Sequence, residues 1–162
     1  MVYNTALSYV QNNEDAEEVT QDVFIELHRS LDSFKEESSL KTWIYRIAIN
    51  KSLDYLKYRN RKKRMGILSD IFKKDSLEPA HHIADFEHPG VKFENKEKAK
   101  ILFKAINTLP EAQKTAFILA KVEGLGNLQI SEIMNRHVGA IESLLSRAKE
   151  NLKRELGGFY KE

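Results

Sequence analysis

The stretch from Ser38 to Arg64, SSLKTWIYRIAINKSLDYLKYRNRKKR, carries the side chains best suited to a function. Read as one long helix, it places Trp43, Arg46, Asn50, Lys57 and Arg61 on one stripe, ending in the basic run KYRNRKK. Ile49, Leu53 and Leu56 fall on the opposite side and can face a core. Cations, an amide and a large aromatic ring in one row suit a nucleic acid: the cations take phosphates, and the ring takes a base that can be stacked on. Trp43 alone would serve a core just as well. The basic run alone could be a solvated helix end whose cations favour the C-terminal dipole. Their coincidence on one helix favours binding.

A second basic constellation lies near the other end. Ile130, Ile133 and Met134 mark a short helix, and Asn135 can adopt a left-handed turn. The next helix opens with small residues that allow close approach to a DNA backbone. Arg136, Arg147, Lys149 and Arg154 supply cations for phosphates or base edges. This is a helix-turn-helix pattern. A plain helical hairpin with a solvated basic face shares it, and spacing alone does not separate the two.

Other charged groups point away from catalysis. Glu14, Asp15, Glu17, Glu18, Asp22 and Glu26 crowd one helix. By itself that is a solvated face; in a DNA-binding chain it suits a basic protein partner. His81, His82 and His88 sit near Asp85 and Glu87, but no helical spacing preorganises them as ligands, so no metal is expected. There is no phosphate loop, nucleophile elbow or catalytic triad. The expectation is a protein that is not an enzyme and has no cofactor and no small-molecule substrate.

These residues need helices to position them. Val2 to Val10 is periodic enough for a short helix. Asn13 suits an N-cap for a helix to about Ser30, with Ala16, Val19, Val23, Leu27 and Leu31 as its apolar stripe. Ser33 to Ser39 reads as a polar loop in which Ser38 or Ser39 caps the long helix. From Gly66 to about Glu94 the period is lost and Pro79, Pro89 and Gly90 appear, which reads as a flexible linker. A helix follows to about Thr108. Pro110 suits the first turn of the next and Gly124 its C-terminal cap. The last helix runs from Val138 to about Leu156, with Val138, Ile141, Leu145, Ala148 and Leu152 in one stripe.

The expected fold is therefore all-α: two small helical domains joined by a flexible linker, the second containing the helix-turn-helix. The boundaries are 1–65, 66–93 and 94–162. The chain's 162 residues, 41% apolar and 31% charged, allow this. No apolar run approaches the roughly 18 residues of a membrane span, and no signal peptide is evident. The absence of cysteine fits a reducing cytoplasm. Net charge is only +2, so its distribution rather than its sum is informative.

Two long stretches resemble the sigma-70 family of bacterial transcription initiation factors, and within it the small extracytoplasmic-function subgroup. NNEDAEEVTQDVFIELHRSLDSFKEESSLKTWIYRIAINKSLDYLKYRNRKK looks like that family's region two. LPEAQKTAFILAKVEGLGNLQISEIMNRHVGAIESLLSRAKENL looks like its region four. The strings DAEEVTQDVF and WIYRIAIN, in this order and spacing, are specific; the helix-turn-helix alone is not.

The resemblance implies a chain that binds core RNA polymerase and gives it promoter specificity. Glu18, Gln21, Asp22 and the neighbouring Glu26 match the helix that docks on the polymerase clamp coiled coil. The loop from Ser33 to Ser39, with Phe34, Lys35 and Ser38, matches the one that captures a base flipped from the non-template strand. Lys41, Trp43, Arg46 and Asn50 match the helix that melts and reads the downstream element, and Lys57 and Arg61 extend it. Arg136, His137, Ala140, Ser143 and Arg147 match the helix that reads the upstream element as duplex. The helix after Pro110 matches the part that meets the polymerase flap, and the linker the segment in the RNA exit path. An anti-sigma protein is a further partner common in the family.

Some positions depart from the family. The chain starts late, so part of region two's first helix is expected to be missing. His137 stands where Ser is favoured as a cap. Glu142 and Leu144 stand where cations are common, and Gly126 and Asn127 where Ser and an aromatic are frequent. Neither domain is strongly basic, so weak DNA binding is expected without polymerase. Two rivals remain: a stand-alone helix-turn-helix regulator, and a truncated, inactive relative that only binds a partner.

Overall fold

A computed structural model describes residues 1–72 and 96–157. Among them the fold is all-α, with seven α-helices: α1 (Val2–Val10), α2 (Asn13–Ser30), α3 (Leu40–Phe72), α4 (Lys96–Thr108), α5 (Glu111–Phe117), α6 (Asn127–Met134) and α7 (Val138–Leu156). Most of the expected linker, including His81, His82 and His88, lies outside the described residues. Its first part does not: α3 runs through Gly66 to Phe72. One glycine costs a helix only about 1 kcal/mol, and no proline follows until Pro79.

Helix α1 is short and central. Val2, Ala6, Leu7, Tyr9 and Val10 are buried, so it is apolar nearly all round, as a helix enclosed by others must be. Of its buried hydroxyls, that of Ser8 donates to the Asn4 carbonyl at 2.8 Å, and that of Thr5 lies 3.2 Å from the Met1 carbonyl. It ends at Gln11, which takes a left-handed conformation (φ 54°).

Asn12, not Asn13, caps α2. Asn12 has the extended backbone of a cap, and its side chain accepts the Asp15 N–H at 2.9 Å. Such a cap stabilises by about 1 kcal/mol. Two adjacent asparagines offer the same chemistry, and only backbone geometry separates them. Ala16, Val19 and Val23 are buried, but the stripe ends early: Leu31 starts a tight 3-10 turn (Leu31–Ser33) that swings it out to 57% exposure.

Ser39 caps α3, its hydroxyl oxygen accepting the Thr42 N–H at 3.1 Å. At ~1.5 Å per residue the helix is about 50 Å long. Tyr45, Ala48 and Ile49 are buried, and Leu53 and Leu56 half-buried, on the expected core side. Asp15 ties α2 to α3 by accepting from Tyr55 at 2.6 Å and Arg59 at 2.8 Å.

In the second half, Phe103, Ala105 and Ile106 of α4 are buried. Pro110 immediately precedes α5 as its N-cap. Helix α5 passes into a π-helical turn (Ile118–Val122) that closes at Gly124, whose φ of +69° is costly for any residue with a Cβ. After α6, Asn135 makes the expected left-handed turn (φ 51°) into α7, which buries Ile141, Ala148 and Leu152.

Both helical halves are present, and they are packed on one another. Leu7, Tyr9 and Tyr45 belong to the same buried cluster as Phe103, Ile118, Leu119 and Ile130. Polar groups stitch the seam. Tyr9 donates to the Thr115 hydroxyl at 2.8 Å, and Gln11 Nε2 to the Phe103 carbonyl at 2.8 Å. Among the described residues, every buried side-chain nitrogen and oxygen has a partner.

Candidate nucleic-acid and partner interface

The loop between α2 and α3 meets the first turn of α3. Phe34 and Trp43 pack as a tilted aromatic pair, ring centroids 4.8 Å apart and planes at 31°. Both are half-buried, so they offer a partly open apolar surface. Lys35, Lys41 and Asn50 are exposed nearby in sequence, and Ser38 is half-buried. Glu36 takes a left-handed conformation (φ 56°), which shapes the loop. The Phe34–Trp43 pair was not legible in the sequence, because the loop's path decides whether the two rings meet.

Along α3, Lys57 and Arg61 are exposed as expected. Lys57 lies 3.9 Å from both Asp54 and Glu111, a loose surface pairing worth about 0–1 kcal/mol. Arg59, within the basic run, is committed to Asp15. Tyr58, 56% exposed among these cations, is an aromatic the stripe reasoning passed over.

Arg46 departs from the stripe. It is half-buried, and its guanidinium turns toward the second half of the chain. Nη2 donates to the Glu132 carbonyl at 2.6 Å and Nε to that of Ile133 at 3.2 Å. These carbonyls lie in the last turn of α6, where that of Glu132 also accepts the Asn135 N–H at 3.3 Å, so the cation sits at the negative end of the helix dipole. Sequence periodicity places Arg46 on a face, but it cannot show which element covers that face.

Next to Arg46, Tyr45 donates to Glu123 Oε2 at 3.0 Å, and Thr5 donates to the other oxygen, Oε1, at 2.9 Å. Burial first, and then the Glu123 charge, push the Tyr45 phenol well above its ordinary value. Nearby, Lys114 is buried. Its ammonium donates to Asn107 Oδ1 at 2.5 Å and the Tyr9 carbonyl at 3.4 Å, and lies 5.3 Å from the Tyr9 ring centre. Desolvation, helped by the Arg59 charge, lowers its pKa from the usual 10.5 to about 8.

Helix α7 presents the second basic face. Arg136, His137, Ser143 and Arg147 are exposed and Ala140 is half-buried. Ser143 returns its hydroxyl to the Gly139 carbonyl at 2.9 Å. His137 is the N-cap of α7 but makes no side-chain cap bond, in line with its being a weaker capping residue than serine.

On α2, Glu18, Gln21 and Asp22 are exposed together. Glu26 differs: it pairs with Lys51 at 2.9 Å, and that bond holds its carboxyl below the ordinary range. Phe24 and Ile25 stand exposed beside the acids, at 58% and 48%. They lie off the Ala16, Val19 and Val23 stripe, so helical period gives no sign of them. Among the described residues, no group of histidines and acids could hold a metal, and no helix is long and apolar enough to cross a membrane.

The sigma-70 region 2 family model matches residues 1–62, and the sigma-70 region 4 model matches residues 99–152. The chain is 36% identical over 150 residues to the ECF RNA polymerase sigma-E factor of Haemophilus influenzae, covering 91% of this chain and 77% of that protein. It is 32% identical over 136 residues to the protein of the same name from Escherichia coli K12, covering 84% and 71%. Among solved structures, the sigma factor RpoE of Bartonella quintana, in complex with the anti-sigma factor NepR, superposes with a TM-score of 0.64 at 25% identity, over 96% of this chain and 89% of that one. CnrH, solved with the cytosolic domain of CnrY, shares the fold at a TM-score of 0.63 and 19% identity, over 97% of this chain and 80% of that one. With both region models matched in order and relatives of this identity matched over most of their length, the chain belongs to the sigma-70 family, in its extracytoplasmic-function (ECF) group.

Proposed function

We propose that this chain, a promoter-directing transcription initiation factor by family, melts the downstream element with the α2–α3 loop and α3, and reads the upstream element as duplex with α7. The Phe34–Trp43 pair carries the reading. A half-exposed aromatic pair, with Lys35, Lys41 and Asn50 exposed close to it in sequence, is suited to hold a base pulled from the duplex. Opening DNA costs about 1.4 kcal/mol per base-pair step of stacking. Stacking a base on an aromatic side chain recovers ~1–3 kcal/mol.

Arg136, in the turn before α7, and Arg147 on it supply the cations for duplex contact, and His137, Ala140 and Ser143 line the approach. These contacts set register, because phosphate contacts orient a protein on DNA. Glu18, Gln21 and Asp22 of α2, flanked by Phe24 and Ile25, dock on a basic, partly apolar surface of core RNA polymerase, the clamp coiled coil. Helix α5 meets the flap. The polymerase does the bond chemistry; this chain supplies recognition, and it works in the cytoplasm. Two structural neighbours were solved with protein partners, one named an anti-sigma factor, and a regulator of that kind suits this chain as well.

The test is co-purification of the full chain with bacterial core RNA polymerase. Wild type should be retained, and Gln21→Ala combined with Asp22→Ala should be lost. Failure of a well-folded wild type to bind would favour a stand-alone DNA-binding regulator.

A further inference from the structure

Helix α7 carries little charge where it is proposed to read DNA. From Val138 to Ala148 its exposed charged residues are Glu142 and Arg147. Core packing claims Ile141, Leu144 and Leu145. Gly139 has no side chain, Ala140 only a methyl, and the Ser143 hydroxyl donates back to the Gly139 carbonyl at 2.9 Å. Among the described residues of the first two turns, that leaves Glu142 as the long side chain with polar atoms to offer. Local structure does not account for its carboxylate. It lies past the first turn, where helix-dipole stabilisation has faded. Its neighbours three and four residues away, Val138, Gly139, Leu145 and Ser146, are not cations, so no helix-surface pair explains it. It joins no ion pair among the described residues.

A carboxylate beside DNA is repelled by phosphates and gains only from a donor. In a helix-turn-helix the first turns of the second helix meet base edges in the major groove. There, cytosine and adenine present donors, the N4 and N6 amino groups, while guanine and thymine present acceptors. Adenine sets its N7 acceptor next to N6, which opposes the second carboxylate oxygen. Cytosine N4 has no acceptor beside it on the same base. We infer that Glu142 is a specificity-determining residue: its carboxylate accepts from the N4 amino group of a cytosine in the upstream element and excludes guanine and thymine from that position. This rests on the proposed reading of duplex by α7. With Arg136 and Arg147 as the cations, phosphate attraction is slight, so base contacts carry a larger share of upstream recognition.

The experiment loads core RNA polymerase with the full chain and selects duplexes from a pool of randomised, promoter-length sequences. Wild type should enrich a cytosine at one upstream position, and replacing it by guanine or thymine should weaken retention about tenfold. Glu142→Ala should lose the preference at that position and keep those at the others. Glu142→Gln should admit adenine there, because an amide can bond N6 and N7 together. Arg147→Ala, as the control, should weaken upstream binding without changing the base preferred opposite Glu142. Glu142 is exposed, so its variants should melt with wild type.

Equal tightening of every sequence by Glu142→Ala, with no position changed, would make the carboxylate merely repulsive and overturn the inference. An upstream preference untouched by Glu142→Ala but weakened by Arg147→Ala would keep α7 as the reader and remove Glu142 from it. Indifference to both variants would sink the role of α7, and the inference with it. Absence of polymerase binding would instead sink the proposed function, and the same selection on the free chain at low salt would then decide Glu142.

Discussion

The two helices proposed to read DNA are presented very differently. In the turn before α7 and on α7 itself, Arg136 and Arg147 are exposed. On α3, Arg46 is bound to the carbonyls that end α6, and Tyr45 is held by Glu123. One reader is open, and the other is partly engaged by the half that carries the open one: Arg46 and Tyr45 are held, while Lys41, Asn50, Lys57 and Arg61 stay exposed. A basic stripe in a sequence therefore says which side chains share a face, but not whether the fold leaves that face free.

The sharpest way to break this contrast is to remove the seam. Tyr9 is fully buried and bonds Thr115 across it. Tyr9→Ala should cost about 3–5 kcal/mol in a urea titration, as for other large aromatic truncations. A loss below about 1 kcal/mol would mean the halves stand independently. The contrast is sharpened by the pair Trp43→Ala and Arg147→Ala. The first should lower promoter opening by ~1–3 kcal/mol of lost stacking and leave upstream duplex contact intact. The second should weaken upstream binding alone; equal effects on both readouts from either variant would merge the two sites.

Much of this was legible. The element order, the Asn135 turn, the Gly124 cap and the core side of α3 all follow from period and punctuation. What was not legible depends on tertiary contact. Leu31 leaves its stripe because the chain tightens into a 3-10 turn. Gly66 fails to stop α3, since a single glycine is a weak breaker without proline nearby. The Phe34–Trp43 pair and the direction of Arg46 depend on how a loop and a second half fold back, which no local pattern encodes.

Smaller effects test the seam's chemistry. The Lys114 pKa is lower folded, about 8, than the usual 10.5, so between those values the unfolded chain binds more protons. Stability should then rise with pH from about 8, by at most ~1.4 kcal/mol per unit, as the buried cation's cost is relieved. Tyr9 and Tyr45 shift upward, chiefly by burial, so their neutral forms stabilise the fold below about pH 10 and that gain fades above it. Lys114→Met should flatten the rise between pH 8 and 10; an unchanged profile would remove Lys114 as its source. Asn12→Ala should cost about 1 kcal/mol through the lost cap. Glu111→Gln, which removes a loose exposed pairing with Lys57 and one negative charge from the first turn of α5, should change stability by less than about 1 kcal/mol.

The most direct test reconstitutes this chain with core RNA polymerase, recovers a promoter by sequencing run-off transcripts, and probes that promoter with permanganate for unpaired thymines. Wild type should open the downstream element. Trp43→Ala should leave it paired while the upstream footprint persists. Opening that is indifferent to Trp43, or a wild-type holoenzyme that opens nothing, would contradict the assignment of the Phe34–Trp43 pair as the site that captures the melted strand.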